Sequence, residues 1–227
     1  MRGLLITAAV LCSALHAGTF ADEKQRKDSD EERFVSLFDG KTLKGWIGSD
    51  RREPKGYAVE EGNLVCLKRG GGNIYTEKEY ADFVFRFEFK LERGANNGVG
   101  LRAPLTGDAA YVGMESQILD DDAYKGKLQP YQYHGSIYGV APAKPGHLKP
   151  VGEWNSEEIT CEGRRVKVVL NGQTIVAVDL DEVAPKGKTI DGRDHPGLKR
   201  EKGHIGFLGH GARIEFRNLR IKELQKE

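Results

Sequence analysis

The chain reads as an all-β domain built as a sandwich of two antiparallel sheets. Three observations carry this. There are 29 glycines in 227 residues, nearly double the usual level of about 7%. Short runs of β-branched and aromatic residues recur at strand spacing, separated by turn residues. From Phe83 to Leu91, four phenylalanines (83, 85, 87 and 89) alternate with Val84, Arg86, Glu88 and Lys90. Strict alternation puts one face of that strand in a core and the other in solvent or a polar groove. Many short strands in one stretch of chain make a sandwich or a barrel, and the two-faced Phe strand favours two packed sheets.

The elements follow in order. Met1-Arg2, the small apolar stretch Gly3 to Ala17 and Thr19-Phe20-Ala21 form a signal peptide, with cleavage after Ala21. Export to the periplasm or the medium follows. Residues 22–33 contain no apolar side chain and form a charged flexible linker. The folded domain spans 34–225. Tyr57 to Leu67 holds a turn at Glu61-Gly62-Asn63 between two strands. After the Phe strand, Asn97-Gly98 reads as a turn leading into Val99, Leu101 and Ala103. Met114 to Leu119 is a further strand, and 131–139 and 155–161 are less regular ones. Val166–Leu170 and Thr174–Val178 flank Asn171-Gly172 as a hairpin. His204–Leu208 and Arg213–Ile221 close the domain. Residues 104–112, 120–131 and 183–202 are loops long enough to carry function.

Composition excludes several classes. Lys plus Arg is 35 and Asp plus Glu is 34, so no broad basic surface awaits nucleic acid. No apolar run after the leader approaches the roughly 20 residues of a membrane span. Cys66 and Cys161 remain after the leader is removed. They are expected as buried, unpaired thiols, because Cys66 sits between Val65 and Leu67 and free cysteine behaves as a small hydrophobe.

Glu115 and Gln117 are two apart in a strand and share a face, with Met114, Ser116 and Ile118 on the other. That pair suits a polar groove; an edge strand with its polar face in water gives the same pattern. Arg102 is out of register with Val99, Leu101 and Ala103 and faces away from the core. Its guanidinium suits sugar hydroxyls or a developing oxyanion, or an ion pair with Glu88 or Glu115. His210, between Gly209 and Gly211, and His134, before Gly135, are candidate bases or metal ligands. Trp154 offers either a sugar platform or packing. The acidic run Asp120-Asp121-Asp122 lacks the alternating spacing of a calcium loop.

An ordered set of motifs then resembles one family. It begins with Ser36-Leu37-Phe38-Asp39-Gly40 and Leu43-Lys44-Gly45-Trp46. It continues through Gly70-Gly71-Gly72, Asp82-Phe83, Glu88-Phe89-Lys90 and Asn97-Gly98-Val99. Arg102-Ala103-Pro104, Glu115 to Asp120, Gly135-Ser136-Ile137-Tyr138-Gly139 and Gly152-Glu153-Trp154-Asn155 come next. Leu170-Asn171-Gly172, His210-Gly211 and Phe216 to Arg220 complete it. The set is similar to the 3-keto-disaccharide hydrolase domain. The resemblance implies a concanavalin A-like jelly roll and action on glycosides whose ring carries a ketone at carbon 3. Such chemistry needs a base for the acidified proton at carbon 2, an electrophile for the enolate oxygen and an acid for the leaving oxygen. The expected catalytic residues are Glu115, His210 and Arg102, with Gln117, His134, Tyr138, Trp154 and Asp120 holding an oxidised glycoside. No cofactor is assigned; a divalent metal on Glu115, His134 and His210 stays open. The chain departs from the family at Leu208 and Gly209, where Gln and Asp are common. The related glucanase pattern E-x-D-x-x-E is also incomplete, with Gln117 and Asp120 at its second and third acids, which argues against two-carboxylate hydrolysis. A non-catalytic carbohydrate-binding module is the alternative.

Overall fold

The computed structural model describes residues 31–225. The leader and all but the end of the charged linker lie outside the described residues. The chain divides into two units, residues 1–35 and 36–227, and the architecture below is that of the second, with Val35 adding the first residue of β1.

In chain order the strands are β1 (Val35–Ser36), β2 (Trp46–Gly48), β3 (Tyr57–Glu60), β4 (Asn63–Cys66), β5 (Gly72–Thr76), β6 (Phe83–Leu91) and β7 (Asn96–Ala103). Then come β8 (Met114–Leu119), β9 (Trp154–Glu162), β10 (Arg165–Leu170), β11 (Gln173–Asp179), β12 (His204–Gly209) and β13 (Ile214–Glu223). They form a concanavalin A-like jelly-roll sandwich. The larger sheet runs β11-β10-β9-β6-β13-β4-β3 and the five-stranded sheet β2-β5-β12-β7-β8. All the pairings in registry are antiparallel.

The Phe strand is β6, at the centre of the larger sheet, and its four rings are buried in the core. Phe87 meets Phe207 of the facing sheet edge-on, with ring centroids 5.7 Å apart, and Phe207 stacks on Phe216 at 3.9 Å. Burying each such ring contributes roughly 1.5–3 kcal/mol. The charged face of β6 looks outward and is paired. Arg86 meets Glu158 at 2.6 Å, Arg217 meets Glu88 at 2.7 Å, and Lys90 meets Glu215 at 2.9 Å. Both hairpins form where expected. Asn171 and Gly172 take positive φ (49° and 82°), as do Glu61 and Gly62 (50° and 78°), the geometry of tight primed turns. Cys66 and Cys161 are buried and unpaired, and burial pushes the Cys161 thiol up to about 12.

Three expectations are corrected. Asn97-Gly98 is not a turn but lies within β7. Buried Asn97 accepts from the Gly98 and Leu208 main-chain N–H groups through Oδ1, so it serves the sheet interior. Residues 131–139 form no strand. Pro130–Gln132 is a 3-10 turn, and only Ile137 bridges Ser116. The loop 104–112 holds a short helix, Ala109–Val112, capped by Asp108, whose Oδ1 accepts from Ala110 N–H at 3.1 Å.

Candidate active site

A pocket of about 480 Å³ opens on the outer face of the five-stranded sheet, within the range of small-molecule sites. Its floor comes from alternate residues of the sheet. Glu115, Gln117 and Leu119 of β8 line it, with Asn96 of β7, Leu208 of β12 and Asn73 of β5. The three long loops build its walls. Asp108 and Tyr111 come from the first, Tyr124 from the second and Arg193 from the third. Tyr138 joins them, and His210 just after β12 completes the rim.

Glycine makes the floor deep. A Cβ on Gly98 would stand 1.9 Å from Glu115 Oε1, and one on Gly206 2.4 Å from the Tyr75 ring. The Glu115 carboxyl therefore lies flat over the β7 backbone. It is 6% exposed. Among the described residues no donor reaches it. Burial, with the Asp108 carboxylate adding to it, raises its pKa to about 8. Burial likewise lifts the Tyr75 hydroxyl to about 12, with Asp108 and Glu115 contributing and Asn73 opposing. A carboxyl held protonated near neutral pH in a polar pocket can give a proton, and above that pKa it can take one.

The loops are tied down. Gln117 N–H donates to Ser136 O at 3.0 Å and Tyr138 N–H to Glu115 O at 2.9 Å, which docks Tyr138 beside β8. Tyr138 Oη then accepts from Gln132 Nε2 at 2.8 Å. Asp191 anchors the third loop. Its carboxylate accepts from Thr189 Oγ1 at 2.7 Å and Arg193 N–H at 2.9 Å, and it stands 3.1 Å from His195 Nε2. Burial works against ionisation of Asp191, but these bonds outweigh it and hold its pKa below the usual carboxylate value. The loop thus presents Arg193, which donates to Tyr111 Oη at 2.5 Å.

Of the residues expected from the sequence, the fold brings Glu115, Gln117, Tyr138 and His210 into this pocket. Four others lie elsewhere. Arg102 is only 2% exposed and is spent on structure. It donates to the carbonyls of Ala81 and Gly163, each at 2.8 Å, and to Asp82 at 2.9 Å. Its φ of 48°, at the point where the register of β7 against β12 shifts, turns it from the sheet face to this corner. His134 points into the core. Its Nδ1 accepts the Leu119 N–H, its ring packs on Phe89, and its Nε2 stands 3.1 Å from Glu157 Oε2, off the line of a good hydrogen bond. The trio Glu115, His134 and His210 is therefore not assembled. Among the described residues no three His, Cys, Asp or Glu side chains converge on a metal position. Asp120 accepts from Gly94 N–H at 2.7 Å and braces the second loop. Trp154 lies against β6 of the larger sheet, stacked under Arg217, whose guanidinium carbon is 4.0 Å from the ring centroid.

Sequence reasoning missed Asn96, Asp108, Tyr111 and Arg193. Only Asp108 left a local signal, as a polar cap ahead of Ala109 and Ala110.

Gly209 is also explained by packing. A Cβ there would stand 2.7 Å from Gly72 O and 3.0 Å from Cys66 Sγ, so no larger side chain has room there.

The two packed sheets define a jelly-roll β-sandwich with a polar, acid-bearing pocket on the outer face of one sheet. Within that fold the assignment is specific. Residues 33–222 match the 3-keto-alpha-glucoside-1,2-lyase-like domain, and the chain belongs to that family. A 3-keto-disaccharide hydrolase of Bacteroides thetaiotaomicron is 28% identical over 233 positions, covering 86% of this chain and 80% of that protein. Two crystal structures of candidate glycosyl hydrolases from Parabacteroides distasonis are similar. One has TM-score 0.75 at 27% identity, covering 87% of this chain and 97% of the other. The second has TM-score 0.72 at 32% identity, covering 84% and 99%. A carbohydrate-binding module of Bacillus subtilis shares the fold alone, with TM-score 0.52 at 13% identity, covering 79% of this chain and 96% of the module.

Proposed function

We propose that the protein is an exported enzyme that cleaves the glycosidic bond of 3-keto-glycosides by elimination followed by hydration. One observation carries this most: Glu115, a buried carboxyl without a donor, lying on a polar pocket floor and protonated near neutral pH. The family membership and the named Bacteroides relative support the substrate class.

In this reading His210 takes the proton at carbon 2. The C–H electrons form the enolate of the 3-ketone, whose oxygen meets Arg193 on the pocket wall. The enolate re-forms the ketone as the bond from carbon 1 to the leaving oxygen breaks, and Glu115 delivers its proton to that oxygen. The unsaturated ketone then takes up water at carbon 1, with a proton to carbon 2, giving the free 3-keto sugar. Gln117 and Tyr138 hold the ring. Residues 1–21 act as the leader, 22–33 as a tether and 34–225 as the catalytic domain.

The test is a 3-keto-glycoside with a chromogenic leaving group, run beside its unoxidised parent. Release from the oxidised compound alone is expected. Leu208 on the pocket floor, where the family commonly has Gln, favours a second reading, a carbohydrate-binding module; binding of both compounds without release would establish it. His210→Ala should slow release by about 100-fold or more, as loss of an acid or base typically costs ~10²–10⁴.

A further inference from the structure

Two acceptors on the pocket floor have no partner. Gln117 Oε1 and Asn96 Oδ1 are both buried without a donor, and both side chains line the pocket. Gln117 as a whole is 5% exposed. Its Nε2 donates to Gln132 O at 3.3 Å, which fixes which end of the amide is left over. Asn96 is opposite Leu119 and Gly98 opposite Gln117, so Asn96 and Gln117 are diagonal neighbours on one sheet face. Such positions are about 7–8 Å apart at the backbone and within reach of long side chains. Buried acceptors are rarely left unmade, and each such exception calls for a missing donor. Beside them lie the Asp108 carboxylate, which offers only acceptors, and Glu115, whose carboxyl is held protonated near neutral pH and makes no hydrogen bond to either amide. The guanidinium on the wall, Arg193, is already engaged with Tyr111 Oη.

We infer that Asn96 and Gln117 form a hydroxyl-reading subsite, which accepts from two hydroxyls of one neutral sugar ring and so sets how that ring lies over Glu115. The inference rests on the reading of this pocket as a saccharide site and narrows it to neutral, hydroxyl-rich rings. A carboxylate-bearing sugar would set a second negative group against the Asp108 carboxylate and a buried carboxyl that resists ionisation at Glu115, and an ether or deoxy position would leave an amide oxygen unpaired.

The probes are a 3-keto-glucoside, its unoxidised parent and the ring-monodeoxy analogues of that parent, with binding to the whole protein measured by calorimetry. The wild-type protein should bind two of the monodeoxy analogues at least ~10-fold more weakly than the parent, the factor expected for one lost hydrogen bond to a buried acceptor. Gln117→Met, which keeps the volume and removes the acceptor, should bind the parent about as weakly and no longer distinguish one of those analogues. Asn96→Leu should do the same for the other. Melting curves establish that both variants are folded; for a variant that does not fold, the wild-type discrimination decides alone. Equal binding of all monodeoxy analogues by the wild-type protein, or discrimination that survives in both folded variants, overturns the subsite. Discrimination without cleavage of the 3-keto compound keeps the subsite and overturns the enzymatic reading. Cleavage without discrimination does the reverse, and no binding of any saccharide overturns both.

Discussion

Arg102 and Glu115 sit on neighbouring strands of one sheet, both almost fully buried, and the fold treats them in opposite ways. Around Arg102 each nitrogen of the guanidinium finds an acceptor: two carbonyls at 2.8 Å and the Asp82 carboxylate at 2.9 Å. Around the Glu115 carboxyl, among the described residues, no donor is placed; it lies where a Cβ on Gly98 would stand, 1.9 Å from Oε1. Burying an ion is expensive unless its partners are complete. The first corner has the partners and is rigid framework. The second lacks them, and its carboxyl, pushed up to about 8 by burial, is the group proposed above to move the proton. Burial of a charged residue does not by itself say which of the two it is. The list of its partners does.

The contrast can be broken at several points, beginning with the largest effect. Arg102→Met should prevent stable folding or cost about 3–5 kcal/mol, since it strands Asp82 and two carbonyls. Denaturant titration reads this directly. A well-folded variant that merely lost turnover would return Arg102 to the active site.

Glu115→Gln should abolish turnover and leave the fold intact. It should also change the pH dependence of stability. With the folded pKa raised from 4.5 to about 8, the folded state binds more protons than the unfolded state between those values. Glu115 therefore supports stability fully below about pH 4.5, and that support is lost as pH rises through about 8. The variant should lack this decline and melt above the wild-type protein at pH 9, by about 2–4 °C for each kcal/mol relieved. Parallel stability curves would show that the carboxyl is not desolvated.

Gly98→Ala places a methyl where Glu115 Oε1 lies. The side chain must leave its seat, so activity should fall by about 100-fold, with a stability cost of at most about 1–3 kcal/mol. Unchanged turnover would mean that the position of the carboxyl over β7 does not matter. At the far end of the scale, Arg217→Gln removes the Glu88 pair and the cover over Trp154 on the outer face of the larger sheet. Half-exposed pairs of this kind are worth about 0–1 kcal/mol, so melting should barely shift and turnover should stay at the wild-type level. A large loss of turnover would assign that face a role in the reaction.

Much of this molecule is legible locally. A period of two places the phenylalanines of β6 inward whatever they meet, because successive residues of a strand must point to opposite sides. The same rule puts Glu115 and Gln117 on one face. Asn171-Gly172 makes its turn because those two residues accept positive φ. What alternation cannot say is which polar face is the pocket. The charged face of β6 is the more conspicuous in the sequence, yet its charges pair across to β9 and β13 and neutralise one another. Asn97-Gly98 has the residues of a turn and lies in a strand, because Asn97 is wanted by the Leu208 N–H and Gly98 by the Glu115 carboxyl. His134 and Arg102 have the chemistry of a site, but the fold turns His134 into the core, where its Nδ1 accepts the Leu119 N–H and its ring packs on Phe89, and commits Arg102 to Asp82 and main-chain carbonyls. Asp108, Asn96 and Arg193 enter the pocket from separate segments that carry no common motif. Backbone stereochemistry acts between adjacent residues, so the strand pattern was set by the sequence alone. Desolvation and hydrogen-bond pairing act between whichever surfaces the two sheets and three loops bring together, so only the tertiary structure decided which polar groups were consumed and which were left free to react.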